Sequence, residues 1–139
     1  MSADDNQSRG RPVGETSGSP QRPPQRVSGP VSAFDLNEEI TQLRNEDAWR
    51  QGNRNAKTLT KEQNLRVVLT VLRKDEQIKE HQTAGPVAIQ AISGQIRLLL
   101  PDQTVDLPAG HLLVLGPGVA HDVEAVEDSA FLLTIGWAG

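Results

Sequence analysis

The 139-residue chain contains no cysteine, which removes disulfides, thiolate metal sites and cysteine nucleophiles together. Any metal chemistry therefore falls to histidines and carboxylates. Long hydrophobic runs are missing too: none approaches the ~18 apolar residues of a membrane span. Near the start, Asp4 and Asp5 stand where a targeting segment would turn basic and then apolar. The expectation is a soluble, cytoplasmic protein with no membrane partner. There is no excess of basic charge. A formal net charge of −4 offers no uniformly basic surface to a nucleic-acid backbone, so nucleic acid is not an expected partner. With 36% hydrophobic residues, the chain fits one domain plus a tail, and a second core is not expected.

Residues 1–31 carry Pro12, Pro20, Pro23, Pro24 and Pro30 among Ser, Gln, Gly and Arg. Such a composition cannot bury enough apolar area to offset chain entropy, so a disordered N-terminal tail is expected. A helix and linker are expected over 32–55. Ser32 with Asp35, or Asp35 with Glu38, has the spacing of a capping box. Leu36, Ile40 and Leu43 then recur at helical spacing and form one narrow apolar stripe. The stripe lapses at Asp47, and Gly52 is expected to end this single helix. Trp49 falls off the stripe and is expected at the junction with the next segment.

From Ala56 to the end, 56–139, the period becomes extended. Leu65, Val67, Leu69 and Val71 alternate with Arg66, Val68, Thr70 and Leu72, and the first set is expected to face the core. A polar connection, Arg73 to Glu80, leads to His81. Strands are then expected over 87–92, 95–100, 104–107, 111–115, 119–126 and 130–135. Their punctuation by Gly and Pro at short intervals predicts a sandwich or small barrel of antiparallel strands.

Two stretches in this region carry a family pattern. His81 and Gly94 fall at the first histidine and closing glycine of one motif, and Gly110, Gly118 and His121 at the glycines and histidine of a second. With these residues in order and two strands apart, the chain resembles a cupin, a small single-domain one, over roughly residues 65–135. The resemblance implies an all-β fold: an RmlC-like jelly roll, the cupin-type double-stranded β-helix barrel, with one N-terminal α-helix. It also implies convergence of His81 and His121 in a pocket. In the family, three histidines and a glutamate hold a divalent metal such as Fe, Mn, Ni or Zn. Here the second histidine falls on Thr83, the glutamate on Val87 and the opening glycine of the first motif on Asp75; Gly116 replaces a proline and Ala125 an asparagine.

The expected ligand pocket is therefore His81, Thr83, Val87, Ile89 and His121, with His81 and His121 as a weak or absent metal site. By strand alternation Ala91 joins the inward wall and Gln90 points away. His111 is expected at the surface. Gly116-Pro117-Gly118 lacks the helix and lysine of a phosphate loop and reads as a turn that positions His121. Asp122, Glu124, Glu127 and Asp128 could orient its imidazole. The leading functional expectation is a module that binds or senses an unknown small molecule. The alternatives are a metal-dependent enzyme, an oxygenase or isomerase with an incomplete two-histidine site, and a structural or interaction barrel. A homodimer is expected through a face carrying Val68, Leu72, Ala88 and Ile92.

Overall fold

A computed structural model of the chain describes residues 30–136. The expected disordered tail, apart from its last two positions, lies outside the described residues. The ordered chain opens with α1 (Leu36–Arg44), whose N-cap Asp35 accepts a hydrogen bond from Glu38 N at 3.2 Å. Glu38 and Glu39 in the first turn and Arg44 in the last complement the helix dipole. A second short helix, α2 (Asp47–Arg50), follows. The single helix expected through to Gly52 is thus two, and a buried side chain from the sheet accounts for the break. Asn55 Nδ2 donates to Leu43 O at 3.0 Å and to Glu46 Oε1 at 2.8 Å. It thereby adds a buried side-chain donor to a carbonyl at the end of α1 that also accepts from backbone amides of the turn, and ties that turn to the sheet.

Nine strands follow: β1 (Arg54–Lys61), β2 (Leu65–Leu72), β3 (Gln77–His81), β4 (Val87–Ser93), β5 (Gln95–Leu99), β6 (Thr104–Pro108), β7 (Leu112–Leu115), β8 (His121–Ala125) and β9 (Ser129–Gly136). They form two antiparallel sheets, ordered β1-β2-β9-β4-β7 and β3-β8-β5-β6. This corrects the jelly-roll barrel expectation. Among the described residues no ladder joins one sheet to the other, so both stay open and pack face to face. The chain passes between the sheets at corners held by backbone hydrogen bonds. Between β6 and β7, Ala109 N bonds to Gly94 O, Gly110 N to Ala91 O and His111 N to Pro108 O.

The main core lies between the sheets. Cross-strand register arranges the inner face of the larger sheet in rows. Lys61, Arg66, Ile135, Val87 and Leu115 form the first, Thr58, Val68, Leu133, Ile89 and Leu113 the second, and Ala56, Thr70, Phe131 and Ala91 the third. The smaller sheet supplies Ile78, Ile96, Leu98, Leu107, Val123 and Ala125. Burying each large aliphatic side chain contributes about 1.5–3 kcal/mol. A second cluster lies outside the larger sheet, where Ile40, Leu43 and Trp49 cover Leu59, Leu69, Val71 and Ala130.

Three further expectations change. The face of β2 assigned to the core packs under the helices through Leu69 and Val71, while the inter-sheet core takes Val68 and Leu72 together with Arg66 and Thr70. The polar connection contains β3, whose Ile78 alone is a buried hydrophobic anchor. The proposed dimer face does not exist as one surface, because Val68 and Leu72 are interior and Ile92 packs against the helical cluster. Trp49 does sit at the expected junction. The Arg73 guanidinium stacks 4.0 Å from its ring centroid and donates to its carbonyl at 3.0 Å.

Candidate functional site

His121 begins β8 and is 2% exposed. Alternation along β8 turns His121, Val123 and Ala125 inward, leaving Asp122 and Glu124 on the other side. Its Nδ1 lies 3.0 Å from Val119 O. A carbonyl only accepts, so Nδ1 carries the proton, and in the neutral ring the lone pair is on Nε2. The acidic cluster does not orient the imidazole through Nδ1. Glu124 lies 3.7 Å from Arg97, which donates to Asp106 at 2.8 Å. That hydrogen bond raises the Arg97 pKa above its ordinary value. Asp128 accepts from Lys74 N at 2.8 Å.

The register of β3 against β8 places His81 directly opposite His121, after an irregularity beyond Ile78. The two motif histidines are thus backbone neighbours. Val87 and Ile89 are fully interior on β4, joined by Ala91, and Gln90 faces outward. Thr83, expected in the pocket, does not lie on β4 with Val87 and Ile89. It sits in the loop between β3 and β4, its hydroxyl donating to Gly85 O at 2.8 Å and its carbonyl accepting from Gly118 N at 2.9 Å. Gln82 Nε2 adds a bond to Gly118 O at 2.7 Å. These bonds tie the loop after β3 to the Gly116-Pro117-Gly118 turn, which fixes the chain entering His121. His111 is exposed.

The residues described with positive φ are Asp75, Gly94, Gly110 and Gly118, at φ +72, +75, +88 and +77. These are the four positions at which the two motifs carry glycine. The backbone keeps the motif conformation even where Asp75 has replaced the residue that adopts it most readily.

No family model matches the sequence, and no curated protein matches it. Solved structures do match. A conserved protein of unknown function from Streptococcus pyogenes superposes with a TM-score of 0.65 at 21% identity, over 82% of this chain and 94% of its own. A cupin superfamily protein from Desulfitobacterium hafniense gives 0.60 at 15% identity, over 61% and 78%. This chain has the cupin fold. A variant of salicylate 1,2-dioxygenase from Pseudoaminobacter salicylatoxidans gives 0.69 at 14% identity, over 81% of this chain but 36% of that larger one. At these identities the likeness is one of fold.

The cupin fold implies a metal, and the donor set here does not fit one. At the four motif positions Val87 has no donor atom, and the Thr83 hydroxyl is a neutral group already bonded within its own loop. Among the described residues no group of three or more His, Cys, Asp or Glu could hold an ion. Sequence reasoning missed Arg66, Thr58 and Thr70 on the inner face. Their polarity in an alternating strand reads as a solvent face, and the counter-signal was the equally apolar alternate set.

Proposed function

We propose that this chain is a small-molecule binding protein whose ligand enters between the two sheets. His81 and His121 serve as polar anchors, Val87 and Ile89 form the apolar wall, and Thr83 lies on the adjoining loop. The observation that carries the reading is His121, a buried imidazole held in one tautomer beside the apolar inner face of the sandwich. A buried polar ring is costly unless it is hydrogen-bonded, and one oriented by a backbone carbonyl keeps its second nitrogen in a fixed direction. Such a group on an apolar wall is the usual construction of a small-ligand site. Binding is favoured over metal-dependent conversion because Val87 withholds the carboxylate that would have neutralised a divalent ion. Any ion on two imidazoles would be held weakly.

Two measurements test this. Ligand-observed NMR with a panel of small aromatic and aliphatic compounds is expected to reveal at least one binder lost in His121→Ala, a variant that remains folded at the assay temperature and loses binding more than stability. No compound whose binding depends on His121 would overturn the reading. Elemental analysis of untagged protein is expected to find well under one equivalent of transition metal. Near-stoichiometric iron, manganese, nickel or zinc surviving a chelator wash would replace the proposal with the metal-dependent one.

A further inference from the structure

The inner face of the larger sheet is chemically divided. In the three rows described above, every inward residue of β9, β4 and β7 is apolar, whereas β1 and β2 carry Lys61, Arg66, Thr58 and Thr70. Arg66 is 3% exposed and Thr70 1%. The hydroxyl oxygens of Thr58 and Thr70 are out of contact with water and make no hydrogen bond to the protein. Leaving a buried hydroxyl without a partner costs free energy that a valine of the same shape avoids. Where such a hydroxyl stands beside a buried cation, the pair has the chemistry of an anion site.

Position narrows what that is. Thr58 pairs with Val68, so it is diagonal to Arg66, a separation of about 7–8 Å that the long arginine side chain spans. Thr70 is four residues along β2 from Arg66, about 13 Å away, and lies beyond that reach. The first row continues from Arg66 directly to Ile135 and Val87. A cation and a hydroxyl therefore adjoin an aliphatic strip about 10 Å long. The chain turns over after β2, and β3 runs back across it in the smaller sheet. The end of β3 bearing His81, opposite His121, lies toward the end of the sandwich where β2 bears Arg66.

We infer that the ligand of the proposed pocket, on which this inference rests, is a small monocarboxylate with an apolar body. Its carboxylate takes two N–H groups of Arg66 and the hydroxyl of Thr58, and its body lies on Ile135, Val87 and Leu133. A guanidinium offers five donors in a planar fork, and the fork matches a carboxylate in charge and shape. A phosphate dianion would pay a larger desolvation penalty beside that aliphatic strip.

The test is calorimetric titration of the full chain with sodium benzoate and with benzyl alcohol, its neutral analogue. Benzoate is expected to bind roughly tenfold more tightly than the alcohol, a charged hydrogen bond's worth of preference. Thr58→Val removes a hydroxyl that the fold does not use and is expected to weaken benzoate several-fold while leaving the alcohol unchanged. Arg66→Met is expected to abolish the preference. Thr70→Val, an equally unpartnered hydroxyl out of reach, is expected to change neither affinity. Should Arg66→Met fail to fold, the contrast between Thr58→Val and Thr70→Val decides alone. Equal affinity for the two compounds, or equal effects of the two valines, would overturn the carboxylate inference and leave the pocket reading standing. Binding of neither compound would overturn the carboxylate inference, and the pocket reading falls with it only if the wider panel also yields no binder that depends on His121.

Discussion

Gly94→Ala is the substitution whose cost the structure specifies most closely. Gly94 is the single residue between β4 in one sheet and β5 in the other, at φ +75. An alanine there pays about 1–2 kcal/mol for the left-handed backbone. Its methyl would lie 2.5 Å from Ser129 Oγ and 2.9 Å from Ser129 Cα, and closer still to the Asp128 carbonyl oxygen. Two of those three atoms are backbone, so relief requires the strand itself to move. Ser129 Oγ also accepts from Gln95 N at 3.0 Å and lies 2.6 Å from Glu127 O, bonds that the shift would strain. Overpacking of this kind adds about 1–3 kcal/mol, giving about 2–5 kcal/mol in total. Gly110 supplies the control: its φ is +88, but nothing lies within 4 Å of the added methyl. Gly110→Ala is expected to lose only the backbone part, about 1–2 kcal/mol. Urea denaturation read as the shift in midpoint at constant slope measures both. Equal losses at the two positions would show that the corner yields freely and would refute the steric argument.

Asp75→Gly is expected to stabilise by up to about 1 kcal/mol, the left-handed strain relieved less the entropy added to the unfolded chain, and an unchanged or lowered midpoint would contradict this. Lys57, 4% exposed, bonds to Glu39 and to Gln42 Oε1 at 2.8 Å. Glu39→Ala is therefore expected to cost about 3 kcal/mol by leaving a buried cation, more than Lys57→Met, in the same denaturation assay. Thr70→Val is expected to raise stability by about 1 kcal/mol, since the hydroxyl has no partner to lose. We propose that a homodimer forms through the outer face of edge strand β7, where Leu112 and Val114 are 60% and 64% exposed. Light scattering at tens of micromolar is expected to give twice the chain mass, reverting to monomer in Leu112→Lys/Val114→Lys; a monomeric native chain would refute it.

What the sequence makes legible here depends on whether one residue or one period carries the signal. The motif glycines were readable because a left-handed corner leaves few residues to choose from, and His121 because it stands at a fixed step from Gly118. The helix start was readable in Asp35. β2 was not readable as to side: both of its alternating sets are largely apolar, and Arg66 and Thr70 tilted the choice toward the wrong face. β3 escaped notice because Gln77 and Lys79 leave Ile78 as its one apolar residue, too short a pattern to show a period. The break between α1 and α2 depends on Asn55, a residue beyond both helices. The carbonyl that orients His121 is backbone, which no side-chain pattern reports.

The covering of the larger sheet on both sides has a consequence for how this molecule opens. β2 and β9 are hydrogen-bonded to each other along their whole length, with the inter-sheet core beneath them and Ile40, Leu43 and Trp49 above. Their amides can reach solvent only by disrupting both layers, so exchange with deuterium is expected to be slowest there. The helical segment, residues 36–50, is therefore not an appendage to the sandwich. A protease cut between α2 and β1 that released them would wet Leu69, Val71 and Ala130, and the ladder at the centre of the molecule would lose the protection that distinguishes it from its edges.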